Sequence, residues 1–222
     1  MTRFKICCIQ TAEDAALAIR YGAHALGFVS AMPSGPGVAS DGVIQQVAAT
    51  VPAGVSRFLL TPKTDVQELL AQQQQLGLET LQLVNHPLPT EHYEQLRNAR
   101  PGVRWVQVIH VESATSVTEA LAIAPYVSAL LLDSGSPNAG TPALGGTGRT
   151  HNWELSRQIV QGSPVPVYLA GGLNAENVAT AIEQVRPFGV DICSGVRSND
   201  RLDERKLSAF VAAVQGVQNA RA

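Results

Sequence analysis

Three glycine clusters lie in the last third of the chain: Gly145-Gly146-Thr147-Gly148, Ala170-Gly171-Gly172-Leu173 and Ser194-Gly195-Val196. Each follows or flanks a short apolar run, at Ala129–Leu132, Val165–Leu169 and Gly189–Ile192. Glycine lets backbone N–H groups close on an anion with no Cβ in the way. A helix that opens just after such a turn adds its positive end. Gly146, Gly148, Gly171, Gly172, Ser194 and Gly195 are therefore the candidate phosphate-binding residues. The alternative is a set of tight turns that bind nothing. Three clusters at successive strand ends favour the phosphate, and with it an enzyme acting on a small phosphorylated molecule.

Two side chains offer proton chemistry. Asp133 directly follows Ala129-Leu130-Leu131-Leu132. Apolar surroundings raise a carboxyl pKa and keep the proton a general acid needs. Asp133-Ser134-Gly135 is equally good turn chemistry. Cys7 lies two residues after Lys5, on the same face of a strand. An ammonium there favours the thiolate over a thiol of ordinary pKa, roughly 8.5. The alternative is one more small buried hydrophobe. His24, His86, His92, His110 and His151 show no metal-like spacing, and no metal site is expected.

Bulk properties narrow the class. The chain has 222 residues, 45% of them hydrophobic, enough for a single domain over 1–222 with a sizeable core. Sixteen basic and eighteen acidic residues leave a net charge of −2 with no basic stripe. Neither nucleic acid nor an anionic membrane is an expected partner. Aromatics at 5% also argue against a base-stacking surface. Three cysteines, Cys7, Cys8 and Cys193, make no disulfide framework and suit a reducing cytoplasm. On a strand, Cys7 and Cys8 would point to opposite faces. MTRFKICCIQ has no h-region, and no stretch is long enough to cross a bilayer.

The elements that must position these groups alternate along the chain. Strands are predicted at Phe4–Ile9, Ala25–Val29, Ser56–Leu60, Thr80–Leu83, Arg104–His110, Ala129–Asp133, Val165–Leu169 and Gly189–Ile192. Helices are predicted near Ala12–Tyr21, Asp41–Ala49, Asp65–Leu76, Thr90–Asn98, Ser116–Ala124, Asn152–Gln161, Ala175–Val185 and Asp203–Val214. Thr11 and Asn174 are candidate N-caps, and Gly22 and Gly77 candidate C-terminal stops. Eight strand–helix pairs predict a closed (β/α)8 barrel, in which the loops after the last two strands form the usual phosphate site.

A longer series of motifs runs in order over nearly the whole chain. It begins with Lys5-Ile6-Cys7, Glu13-Asp14-Ala15 and Gly22-Ala23-His24-Ala25-Leu26-Gly27-Phe28-Val29. Leu131-Leu132-Asp133-Ser134, Gly145-Gly146-Thr147-Gly148-Arg149-Thr150 and Trp153 follow. Leu169-Ala170-Gly171-Gly172-Leu173-Asn174, Glu176-Asn177-Val178, Arg186-Pro187, Gly189-Val190-Asp191 and Ser194-Gly195-Val196 complete it. As a set these resemble the phosphoribosylanthranilate isomerase family, β/α barrels of tryptophan biosynthesis. The resemblance implies an Amadori rearrangement of a phosphorylated sugar-amine, from aminoaldose to aminoketose, in a monomer or homodimer with no metal or organic cofactor. It assigns the base to Cys7, the acid to Asp133 and contact with the sugar hydroxyls to Asp191.

The chain also departs from the family. Cys8 stands where the family has glycine, and Pro36 where it has an arginine. Val84 stands where it has a histidine, and Arg197 where it tends to have glutamate. The missing arginine and histidine hold the anthranilate end, and a carboxylate is best held by a guanidinium. Arg57, Lys63 and His86 are the substitutes in reach of the sequence. Two further readings therefore stand beside the isomerase: a paralogue acting on a different phosphorylated aminoaldose, and a phosphosugar-binding barrel without catalysis.

Overall fold

Short apolar runs and amphipathic segments alternate until the first strand meets the last. The computed structural model of the protein describes residues 2–33, 35–135 and 151–219. Eight parallel strands close into a barrel in chain order. They are β1 (Arg3–Ile6), β2 (Ala25–Val29), β3 (Ser56–Thr61), β4 (Thr80–Leu83), β5 (Arg104–His110), β6 (Ala129–Asp133), β7 (Val167–Leu169) and β8 (Gly189–Ile192). Lys5 of β1 is in register with Ala25 on one side and Asp191 on the other, which closes the ring. The helices are α1 (Ala12–Arg20), α2 (Asp41–Ala48), α3 (Val66–Leu76), α4 (Thr90–Ala99), α5 (Thr115–Ile123), α6 (Trp153–Gly162), α7 (Val178–Val185) and α8 (Glu204–Asn219). A two-residue antiparallel pair, β9 (Arg197–Ser198) and β10 (Arg201–Leu202), follows β8. Its turn residues Asn199 and Asp200 both have positive φ, as a tight hairpin requires.

Period-two alternation sorts the side chains. Leu26 and Phe28 of β2, Leu130 and Leu132 of β6, and Val190 and Ile192 of β8 pack outward against the helices. Ala25, Val29, Phe58, Val106, Val108, Ala129, Leu131 and Tyr168 fill the barrel interior. The same alternation turns Lys5, Asp133 and Asp191 inward. The outer layer carries most of the hydrophobic stabilisation. Phe28, Leu59 and Trp105 are fully buried there, and truncating such a side chain to Ala costs about 2–5 kcal/mol.

The cap chemistry largely follows the sequence. Thr11 accepts the N–H of Asp14, and Gly77 ends α3 in the left-handed region at φ 65°. Gly22 has φ 84° and closes α1 with a bond to Ile19 O. Four expectations change. β1 ends at Ile6 rather than Ile9, because Cys8 adopts φ 64° and turns the chain out of the strand. β7 begins at Val167, not Val165, and α8 runs on past Val214 to Asn219. Asn174 does not cap a helix starting at Ala175. Its Oδ1 accepts from Glu176 and Asn177 in a turn that delays α7 until Val178.

Close packing at the C-terminal rim ties two loops together. A Cβ on Gly195 would stand 2.1 Å from Leu173 O, so the turns after β7 and β8 touch through their backbones. Gly195→Ala is expected to lower unfolding stability by about 2 kcal/mol or more. Gly102→Ala, with nothing within 4 Å, is expected to stay within about 0.5 kcal/mol. Chemical denaturation of the two variants tests the contrast.

Candidate active site

The strand ends bring the predicted residues together. Cys7, Asp133, Asp191, Gly171, Gly172 and Ser194 all line one pocket at the C-terminal mouth of the barrel. Cys7 sits one residue past β1, its N–H held by Ile192 O at 2.8 Å. Asp133 ends β6 and is 8% exposed. Gly195 lies behind the rim, against Leu173. Gly146, Gly148 and Arg149 lie outside the described residues.

Lys5 sets the charge of the pocket floor. Its side chain is fully buried, with Nζ 2.7 Å from Asp191 Oδ2 and 5.3 Å from the centre of the Phe58 ring. Gly27 leaves the space it occupies: a Cβ there would stand 3.1 Å from Lys5 Nζ and 2.8 Å from Cys7 Sγ. Burial alone would push the Lys5 pKa down. The Asp191 carboxylate and the nearby Cys7 outweigh it, so the ammonium is held more firmly than usual.

The two predicted proton carriers are shifted in opposite directions. Cys7 is held below the ordinary thiol range by a hydrogen bond with Cys8, against the effect of burial and with help from Lys5. Asp133 is pushed above the ordinary carboxyl range by burial, opposed by His110 and by the Ser134 N–H on Oδ1. Apolar neighbours Val108 and Leu131 supply part of that burial.

Two acceptors in the pocket have no partner among the described residues. They are Asp191 Oδ1 and Gln82 Oε1, both buried. A buried acceptor without a donor costs free energy, so both oxygens await donors such as hydroxyls or an amine. Gln82 had no role in the reading from residue order. Its inward place on β4, two residues before Val84, was the available signal.

Cys8 departs most from expectation. Because its φ is positive, its side chain does not point away from Cys7's side of the chain; both residues line the pocket. Its Sγ contacts Pro36 O at 3.5 Å, and a Cβ on Gly37 would collide with it. Arg197 holds this turn from behind. Its Nη2 donates to Cys7 O at 2.8 Å and Cys8 O at 2.6 Å, and Nη1 lies 3.7 Å from Asp14 Oδ2.

The substitutes for an aryl-carboxylate grip lie elsewhere. Arg57 is at the opposite, N-terminal end of its strand and pairs with Glu79 at 2.9 Å. Lys63 pairs with Glu68. His86 lines a neighbouring pocket with His110, whose Nε2 meets Val84 O at 2.9 Å. The wall near Pro36 is instead made by Val29, Met32 and Leu60. Among the described residues, no cluster of three or more His, Cys, Asp or Glu side chains is arranged to hold a metal ion.

The chain is similar to characterised proteins throughout its length. The family model of N-(5'phosphoribosyl)anthranilate (PRA) isomerase matches residues 4–213. The N-(5'-phosphoribosyl)anthranilate isomerase of Methanocella arvoryzae is 32% identical over 216 residues, covering 97% of this chain and 99% of that protein. The enzyme of the same name from Nostoc punctiforme is 34% identical over 194 residues, covering 87% and 89%. Among solved structures, the phosphoribosyl anthranilate isomerase of Thermotoga maritima superposes with a TM-score of 0.83 at 28% identity, covering 97% of this chain and all of that one. Another isomerase of this name, in complex with reduced 1-(o-carboxyphenylamino)-1-deoxyribulose 5-phosphate, gives a TM-score of 0.80 at 26% identity, with coverage of 97% and 100%. A family match over almost the entire barrel, on a chain whose thiol and carboxyl meet in one pocket, leaves one assignment: this protein belongs to the N-(5'-phosphoribosyl)anthranilate isomerase family.

Proposed function

We propose that the protein isomerises N-(5'-phosphoribosyl)anthranilate to the corresponding 1-amino-1-deoxyribulose phosphate in tryptophan biosynthesis, with Cys7 as base and Asp133 as acid. The observation that carries this reading is the meeting of Cys7 and Asp133 in one pocket at the strand ends, and their opposite shifts suit the two roles. Asp133 delivers its proton to the ring oxygen as the furanose opens. The nitrogen lone pair moves in to form an iminium. Cys7 thiolate then removes the proton from the adjacent carbon, giving the enolamine that tautomerises to the aminoketose. Asp191 Oδ1 and Gln82 Oε1 accept from the sugar hydroxyls and the amine.

The phosphate lies on the turns after β7 and β8. Gly171 and Gly172 have φ 84° and 62°, a conformation that suits glycine and exposes successive N–H groups. Among the described residues, the N–H groups of Gly171 and Gly172 donate no backbone hydrogen bond. A dianion would satisfy such donors. Gly146 and Gly148 complete the grip on the β6 side. The anthranilate ring packs against Val29, Met32 and Leu60. No helix among the described residues is long and apolar enough to cross a membrane, in keeping with a cytoplasmic enzyme.

A second reading, a paralogue for another phosphorylated aminoaldose, is favoured by one observation. No described residue lining the pocket carries a cationic side chain toward an aryl carboxylate. Growth of a tryptophan auxotroph lacking the isomerase, on this chain alone, separates the two. Robust growth supports the anthranilate substrate; no growth with a folded protein supports the paralogue.

Cys7→Ala and Asp133→Asn are each expected to lower kcat by about 100-fold or more, the usual contribution of a general acid or base. An active Cys7→Ala protein would remove the mechanism. Gln82→Leu is expected to raise KM with a smaller loss in kcat, as steady-state kinetics would report. Cys7 ionises below, and Asp133 above, its ordinary range, so the limbs of the pH profile of kcat/KM are expected closer together than the ~4.6 units between an ordinary thiol and carboxyl. A thiolate titration of wild type against Cys7→Ala, at or above ordinary thiol values, contradicts this.

A further inference from the structure

Two sulfurs beside the proposed base carry no proton to or from the substrate in the rearrangement. Cys193 Sγ lies 2.7 Å from Cys8 Sγ, and both thiols are free. The two thiols are in direct hydrogen-bonding contact. The pair would close by less than about 1 Å to become a disulfide. Cys8 is fixed in this position by its left-handed backbone, by Arg197 on its carbonyl and by the bare face of Gly37. Cys193 is only partly buried and lines the pocket mouth, so a small oxidant can reach it.

We propose that Cys8 and Cys193 are an oxidisable dithiol, a modification site for hydroperoxides on the wall of the reaction pocket, whose disulfide disarms Cys7. The inference deepens the assignment of Cys7 as base and rests on it. The chemistry balances with hydrogen peroxide as oxidant. The Cys193 thiolate attacks one peroxide oxygen, the O–O bond breaks, and hydroxide leaves to become water. The resulting sulfenic acid is attacked by Cys8 sulfur. The S–S bond forms, the S–O bond breaks, and a second water leaves with the Cys8 proton. Two thiols are oxidised and one peroxide is reduced.

The effect on Cys7 follows from what Cys8 gives up. Cys8 adjoins Cys7 in the chain and shares its pocket wall, and its thiol is the chief influence favouring Cys7 thiolate. A disulfide sulfur has no proton to donate. Cys7 then keeps Lys5, opposed by burial and by Asp191; Asp133 faces it from β6 across the pocket. With the Cys8 contribution gone, the Cys7 pKa moves up, and less thiolate is present at neutral pH.

Hydrogen peroxide titration of the reduced full-length protein tests this. Non-reducing peptide mapping should find Cys8 linked to Cys193, with Cys7 still open to alkylation. The alkylation rate of Cys7, followed by peptide against pH, should shift to higher pH and fall at neutral pH by about tenfold for each unit of pKa. Turnover at neutral pH should fall with it and return on adding dithiothreitol. Cys193→Ser, whatever its starting activity, should keep that activity under the same peroxide dose. A linkage that includes Cys7, no linkage at all, or a Cys8–Cys193 linkage that leaves the Cys7 alkylation profile unmoved would each overturn the proposal. Failure of the base assignment shows separately, as turnover in Cys7→Ala.

Discussion

A buried ammonium ion dictates the floor of this pocket. Lys5 Nζ has no access to water, and a charge in that position is tolerable only beside anions. β1 and β8 supply the first by register, placing Asp191 directly across from Lys5. Cys7, one step of the alternation above Lys5, supplies the second when ionised. Removing either partner would leave the ammonium undercompensated, so the charge that stabilises the floor also prepares the thiolate. Asp191 meanwhile commits one oxygen to Lys5 and leaves the other bare. The same residue thus anchors the barrel and offers an open acceptor to the pocket.

The opposed shifts of Cys7 and Asp133 matter because the mechanism proposed for them needs an uncommon combination. Thiolate and carboxylic acid must be present together. With ordinary values of roughly 8.5 and 3.9, only about one molecule in 40,000 would carry both in that state. Each unit of convergence raises that fraction about tenfold. Environment alone performs the adjustment: an apolar collar on β5 and β6 for the acid, and a cation and a thiol donor for the base. The two sites differ in what surrounds them rather than in what they are made of.

Much of this could be read from residue order, for definite reasons. The strand periods were short and apolar enough to place eight elements and to set Asp133 at the end of one, while Asp191 drew its role from the family resemblance. What escaped depends on a single dihedral or on contacts across long separations. Nothing in Cys7-Cys8 announces φ 64°, because non-glycine residues avoid that region and pay about 1 kcal/mol there. Arg197 stood out in the sequence only as a departure from the family's glutamate; it is buried because a hairpin two residues wide carries it under the Cys7–Cys8 turn. The open oxygen of Gln82 is visible only once its neighbours are known. Arg57 shows the converse: its type suited the task, but its strand position put it at the wrong end of the barrel.

The two ends of the proposed substrate are held by different kinds of chemistry, and that difference explains where this chain diverges. In the proposed complex the phosphate end meets peptide N–H groups at turns where a side chain would collide, as at Gly171 against Ser134 and Gly195 against Leu173. Substitution there is sterically punished, so the grip tolerates little change. The aryl end is lined by side chains on the β2 loop and the β3 end, where Val29, Met32, Pro36 and Leu60 meet the pocket without touching the barrel closure. Residues there can be exchanged at small cost to the fold, and a guanidinium can give way to proline. Cys8 lies at the junction of the two regimes, bound through its carbonyl to the fixed frame and through its sulfur to the variable wall. A change at that position reaches both the base and the aryl pocket, which is why Cys8 and Arg197 have to be understood together.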